Sequence, residues 1–337
     1  MEKIFELGEI SCPSGTLVVI DGGHLGLWSG ERSPSEIDPA LLGADTPERA
    51  REVTGSVDFA VTGPDASAAA RSFDRQPGMM LHDIPASGVA DLRRMFENHC
   101  QVNALDAHLA AMPSREPHAH RAHRTAAEGG GGFLMFGVPV VAVGGVPRDR
   151  RLPVLATRSG DGQGWTEMAV RMSDAPAETS VPLGRIGVDW ARVLFGDVDA
   201  LSAWQHDEPV DGLADVAFWG TAAHAAATAF AAPELDEPGV HGWTDLTVPK
   251  AVEKALAVQS WAQEPGRRLM VDFRPHSHHW QIMRRLRASV HESGTLDLGP
   301  ARVLCAMTAC GDGYFPVMAD LDARGGVVAV RVSFPGA

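Results

Sequence analysis

The fold is decided by residues 7–28, LGEISCPSGTLVVIDGGHLGLW, because residues 183–204 read LGRIGVDWARVLFGDVDALSAW. Laid over one another without a gap, Leu7, Gly8, Ile10, Asp21, Leu25 and Trp28 fall on Leu183, Gly184, Ile186, Asp197, Leu201 and Trp204. Between the matched ends an apolar run meets an apolar run, LVVI against VLFG. The chain holds only 8 tryptophans in 337 residues, so a tryptophan recurring in register carries weight. Further matches follow in the same order. VDFAVTGPDASAAARSF (57–73) sits on ADVAFWGTAAHAAATAF (214–230), PGMMLHDI (77–84) on PGVHGWTDL (238–246) with one gap, and TRSGDG (157–162) on TACGDG (308–313). Ordered self-similarity of this kind is the mark of a repeated unit. The reading is a tandem duplication, with a first copy over 1–176, a second over 177–337 and a junction in SDAPAETSVP (173–182). An insertion around 29–56 in the first copy, rich in Ser, Pro, Asp and Glu, reads as a surface excursion.

One copy spells out its elements. A strand at about 190–196 runs into a short helix capped by Asp197, and ADVAFW leads to the helix TAAHAAATAFA. TVPKAVEKALAVQSW is amphipathic, with Val248, Ala251, Val252, Ala255, Leu256 and Trp261 near one face, Thr247 at its cap and Pro249 in its first turn. A strand RLMVDF, a helix from about Ser277 and the strands GTLDLG, ARVLCAMT, YFPVMADLD and VVAVRVSF complete it, the last two joined by the hairpin signal DARGG. Helices mixed with a closing meander make each copy α+β, with mixed or antiparallel sheets, and two copies in one chain pack most simply as a pseudo-two-fold pair.

Composition narrows the partners. A net charge of −14 repels phosphate backbones and argues against nucleic acid. No apolar window has the length of a membrane span, and FLMFGVPVVAVGG is interrupted by Pro139. The N-terminus lacks the basic and apolar regions of a signal peptide. Cys12, Cys100, Cys305 and Cys310 form no CxxC pair and no zinc spacing, which suits a cytoplasmic protein with reduced thiols.

The closing segment GDGYFPVMADLDARGGVVAVRVSF, together with SGTLVVID at 14–21, resembles an uncharacterised bacterial domain family of unknown function that has a G-D-G-x-Y-P turn and a C-terminal hairpin. In the first copy QGWTEM follows Gly162, so that turn has diverged. The resemblance implies a fold label and no activity.

Candidate chemistry concentrates in DFRPHSHHWQ (272–281). Ser277 is a natural N-cap after Pro275, and His278 and His279 fall in the first helical turn, where the dipole favours anions and keeps imidazoles neutral. Three readings stay open: polar or core histidines, a ligand contact, or a metal site. In the ligand reading Arg274 holds a small anion and His276 and His278 supply directed hydrogen bonds, with Asp312 and Tyr314 of the GDGY turn nearby; a protein partner is the other occupant. No cofactor is needed there. In the alternative, a metal-dependent hydrolase, two or three of His276, His278, His279 and His291 hold one divalent metal, and Asp272 or Asp312 acts as ligand or base. REPHAHRAH (115–123) looks like an echo, pairing Pro117-His118 with Pro275-His276, although RLMVDF has no evident counterpart in the first copy. The recurring aspartates, Asp21/Asp197, Asp58/Asp215, Asp83/Asp245 and Asp161/Asp312, read first as caps and turns and second as a carboxylate cluster for Mg²⁺ or Ca²⁺. GGGG at 129–132 lacks the lysine of a phosphate loop and reads as a turn or linker.

Overall fold

Asp21 and Asp197 close the two strands that the opening repeat foretells, and those strands lie side by side. A computed structural model describes residues 3–42, 46–73, 78–158 and 164–334. In chain order the first half has β1 (Lys3–Ile10), β2 (Leu17–Asp21), α1 (Pro47–Thr54), β3 (Val57–Thr62), α2 (Ala66–Ser72), β4 (Met80–Ile84), α3 (Val89–Val102), β5 (His108–Ala111), α4 (His118–Ala127), β6 (Gly131–Met135), β7 (Val138–Val143), β8 (Leu152–Arg158) and β9 (Trp165–Arg171). The second half has β10 (Thr179–Val188), β11 (Arg192–Asp197), α5 (Val198–Leu201), β12 (Leu213–Trp219), α6 (Ala223–Phe230), β13 (His241–Thr247), α7 (Val248–Ala262), β14 (Met270–Pro275), α8 (His278–Ala288), β15 (Ser293–Leu298), β16 (Ala301–Met307), β17 (Gly313–Leu321) and β18 (Val327–Ser333). The fold is α+β with antiparallel sheets.

Two six-stranded sheets run β1-β8-β9-β18-β17-β10 and β15-β16-β11-β2-β7-β6. Each order reads the same from both ends once first-half strands are exchanged for their second-half equivalents. β2 and β11 meet at the centre with Val19 opposite Phe195. Both strands are wholly buried, which is why they read as unbroken apolar runs instead of alternating ones. Side chains from both sheets, among them Ile10, Val19, Trp165, Phe195, Val317 and Val330, share one core.

The irregularities recur as well. β1 slips register between Glu6 and Gly8, and β10 between Pro182 and Gly184. Gly8 and Gly184 have φ of 140° and 135°, which a side chain would strain. β3 slips around Asp58 and β12 around Asp215, so each bulge re-aims an aspartate.

The chain divides into two compact units, 1–204 with 286–337, and 205–285. Within the first, β4-β3-β5 form a small sheet on α2 and α3, cored by Phe59, Leu81, Phe96 and Leu109. The second contains β13-β12-β14, in the same order, packed by α6 and α7 through Val216, Phe218, Ala255 and Val258. β5, only four residues long, occupies the place of β14, so the first half does have the strand that its sequence seemed to lack. Thr247 stands at the start of α7, but its side chain makes no capping bond. Among the described residues no helix is long and apolar enough to cross a membrane.

Candidate functional site

The repeated aspartates resolve into two sets. Asp21 accepts from the backbone N–H of Gly23 at 2.7 Å and, across the centre, from those of Asp189 and Trp190 at 2.7 and 3.0 Å. Asp197 accepts from Asp199 and Ala200 at 3.1 Å each, and from Ser14 N and Oγ at 2.8 and 2.6 Å. Each carboxylate caps its own short helix, a 3-10 helix over Gly22–Leu27 and α5, and clamps the turn that enters the other half's central strand. This is a structural use, as caps and turns lead one to expect.

Asp58 and Asp83 centre a buried ion network. Asp83 has φ 59° and takes Arg121 at 2.7 and 3.0 Å, Arg115 at 2.5 Å and Phe136 N at 2.8 Å. Asp58 takes the backbone N–H groups of Asp83 and Glu116 and holds His82 Nδ1 at 3.1 Å. Burial alone would raise both carboxyls. His82 and Arg121 outweigh it at Asp58, as Arg121 and Arg115 do at Asp83, and both are held below the ordinary value.

The second unit uses the same backbone with other side chains. Asp245 has φ 55°, and its N–H donates to Asp215 Oδ1 at 2.8 Å, as that of Asp83 donates to Asp58. Beside Asp215 stands His276, with Nε2 2.9 Å from Asp215 and Nδ1 3.0 Å from Asp211. Burial opposes charge on this ring, but the two carboxylates prevail and raise its pKa. Asp215, Asp245 and His276 bring ligand atoms within 4.8 Å of one another, the one such group of three among the described residues.

The other expected residues fall as follows. Arg274 donates through Nε to Asp272 at 2.7 Å. His278 opens α8, and its Nδ1 accepts from Gln205 N at 2.9 Å; burial lowers its pKa. His279 stacks on His206 with centroids 4.2 Å apart. Ser277 caps α8 through Trp280 N at 3.1 Å. In the other unit, Asp312 accepts from Ala191 N at 2.9 Å, Tyr314 is exposed, and His291 packs beside Phe5 and Trp165. Asp161 lies outside the described residues. The histidine echo shifts by two positions. His118, not matched to His276, opens α4 as His278 opens α8, and its Nδ1 accepts from Ser29 N at 3.1 Å. Both donors directly follow the paired tryptophans, Trp28 and Trp204.

A feature that the sequence did not announce is a cavity of 640 Å³ in the first unit. Its floor is Met80, Phe133, Leu134, Pro139 and Leu183, and His82, Arg124 and Arg185 bring positive or polar groups to it. Arg124 is held by Glu116 at 3.0 and 3.2 Å, whereas Arg185 is exposed and has no hydrogen-bond or ion-pair partner among the described residues. The cavity exists because β6 begins in glycines. Turn register places Gly130 and Gly132 where the second half has Ser293 and Thr295. There, Ser293 Oγ donates to Leu7 O at 3.0 Å, and Thr295 Cγ2 lies within 2.9 Å of where a Gly8 Cβ would sit. Facing Leu183 and Gly184, the glycines leave that volume empty. GGGG at 129–132 is thus a turn running into a strand edge that lines a cavity.

No protein-family model matches the chain, and neither a curated protein nor a solved structure similar to it was found.

Proposed function

We propose that the protein binds a small organic anion, a carboxylate with an apolar body, in the cavity between Gly130–Leu134 and Leu183–Arg185. The observation that carries this is the contrast between equivalent places: Ser293 and Thr295 fill one, and glycines empty the other. The volume lies within the range of small-molecule sites, which are mostly apolar with a few placed polar groups. Arg185 supplies the unpaired cation and Arg124 a second, already oriented by Glu116. The reading presumes that the halves descend from one ancestral module, which the repeated order of strands, bulges and aspartates supports.

A metal-dependent hydrolase at the histidine cluster is the second reading, favoured by the closeness of Asp215, Asp245 and His276. Both ring nitrogens of His276 already face carboxylates at 2.9 and 3.0 Å, so a metal would have to displace a proton from each bond it replaced. His276 lies between two carboxylates, as Arg121 does in the first half, which favours a charge-balancing role.

Calorimetric titration with octanoate and with octanol separates the readings. Saturable octanoate binding, weakened at least tenfold by Arg185→Ala and abolished by Gly132→Thr, supports the cavity. A Cβ on Gly132 would meet only Val140 O and Leu183 O, at 3.8 and 3.9 Å, so this variant should fold. No binding of either compound, with stoichiometric zinc or manganese lost on His276→Ala, would replace the proposal with the metal reading.

A further inference from the structure

At another corner of the first unit, four arginines line one depression of 300 Å³: Arg148, Arg150 and Arg151 from the loop between β7 and β8, and Arg302 from β16. We infer that this corner binds a phosphate group, carried by inorganic phosphate or a small phosphate ester. The inference is independent of the cavity proposed above.

Two of the four guanidinium groups, those of Arg150 and Arg302, are held by hydrogen bonds. Arg148 lies over Gly15, where a Cβ would come within 2.4 Å of its Nε. It has no hydrogen-bond or ion-pair partner among the described residues. Arg150 donates to the Met172 carbonyl, which orients its charge without neutralising it. Arg302 is gripped by Asp297 at 2.6 and 2.9 Å, and Arg151 lies 3.5 Å from Glu9. With Asp149 also on the wall, four cations meet three carboxylates, a local positive balance on a chain of net charge −14. Ser11 Oγ accepts from Arg302 N at 2.9 Å, and its own proton has no acceptor among the described residues. Guanidinium groups with a hydroxyl donor suit a tetrahedral dianion, because planar N–H pairs match phosphate oxygens.

The fold itself does not call for these charges. The equivalent loop, between β16 and β17, is Thr308-Ala309-Cys310-Gly311-Asp312, with no arginine, and it closes with Asp312 bonded to Ala191 N. The loop at one corner carries three arginines and one aspartate, and its counterpart one aspartate.

The test is ³¹P and calorimetric titration of the full chain with inorganic phosphate and, separately, glycerol phosphate. Saturable binding is expected, weakened at least tenfold by Arg148→Gln with Arg150→Gln, weakened by added salt, and unchanged by Gly132→Thr. Tighter binding of the ester would identify esters as the ligand, and equal or tighter binding of inorganic phosphate the free ion; either order supports a phosphate site. Absence of saturable binding, or binding that the double variant leaves intact while its melting temperature is unchanged, overturns the inference.

Discussion

Arg121→Met is the sharpest test of the buried network. The guanidinium is fully buried and makes five hydrogen bonds: to Asp83 at 2.7 and 3.0 Å, Asp58 at 3.4 Å, Leu134 O at 2.8 Å and Glu116 O at 3.0 Å. Methionine keeps the volume and removes every donor. Asp83 retains Arg115 and Phe136 N, and Asp58 retains His82, but two buried carboxylates are left with one guanidinium between them. Breaking one partner of a buried ion pair costs about 3–5 kcal/mol. In a unit of this size that corresponds to a fall of roughly 6–20 °C in melting temperature. Acid sensitivity gives a second signature. Asp58 and Asp83 are held low in the folded protein, so their contribution is present above the unfolded carboxylate value, about 4, and is lost as pH falls through the folded values. With Arg121 gone those folded values rise, and acid unfolding should begin at higher pH. Tryptophan fluorescence against temperature and pH reads both. A melting temperature within about 2 °C of the parent, with an unmoved acid midpoint, would refute the reasoning.

Asp21→Ala and Asp197→Ala should destabilise by similar amounts, about 2–4 kcal/mol each in urea titration, because each strands three or four donors in reciprocal turns; a large inequality would contradict the reciprocity. His276 is held above the usual histidine value, so its contribution is full below about 6.5 and lost as pH rises through the raised value. His276→Gln should therefore lower the melting temperature at pH 5.5 and approach the parent at pH 9, and a deficit that grows with pH would reverse the assignment. Ala231 ends α6 with φ 50° and an exposed side chain, so Ala231→Gly should stabilise by about 0.5–1 kcal/mol in the same urea titration; destabilisation would deny the left-handed cap.

What the sequence made legible was what local chemistry writes down. Trp28 and Trp204, the fully buried β2 and β11, and the caps Asp21 and Asp197 stand where the paired stretches imply, since apolar runs and capping aspartates act over a few residues. DARGG indeed joins β17 to β18. β5 escaped because four residues carry too little alternation to signal a strand. Matching Pro117 to Pro275 sets the histidine echo two places off, because Pro117 occupies the cap position that Ser277 holds. The ion network was invisible, because Asp58, Asp83 and Arg121 meet only through bulges and a left-handed turn. The cavity was harder still to read. It is made by what Gly130 and Gly132 lack relative to Ser293 and Thr295, and that contrast appears only when equivalent hairpins are compared in space.

The central claim, that a glycine-lined cavity receives a small organic anion, is tested most directly by backbone amide NMR of the full chain titrated with octanoate. The account expects saturable shifts at Gly130–Gly132 and Leu183–Arg185, with Ser293 and Thr295 unmoved, and their disappearance in Gly132→Thr. Shifts confined to other residues, or the same shifts in that variant, would contradict it.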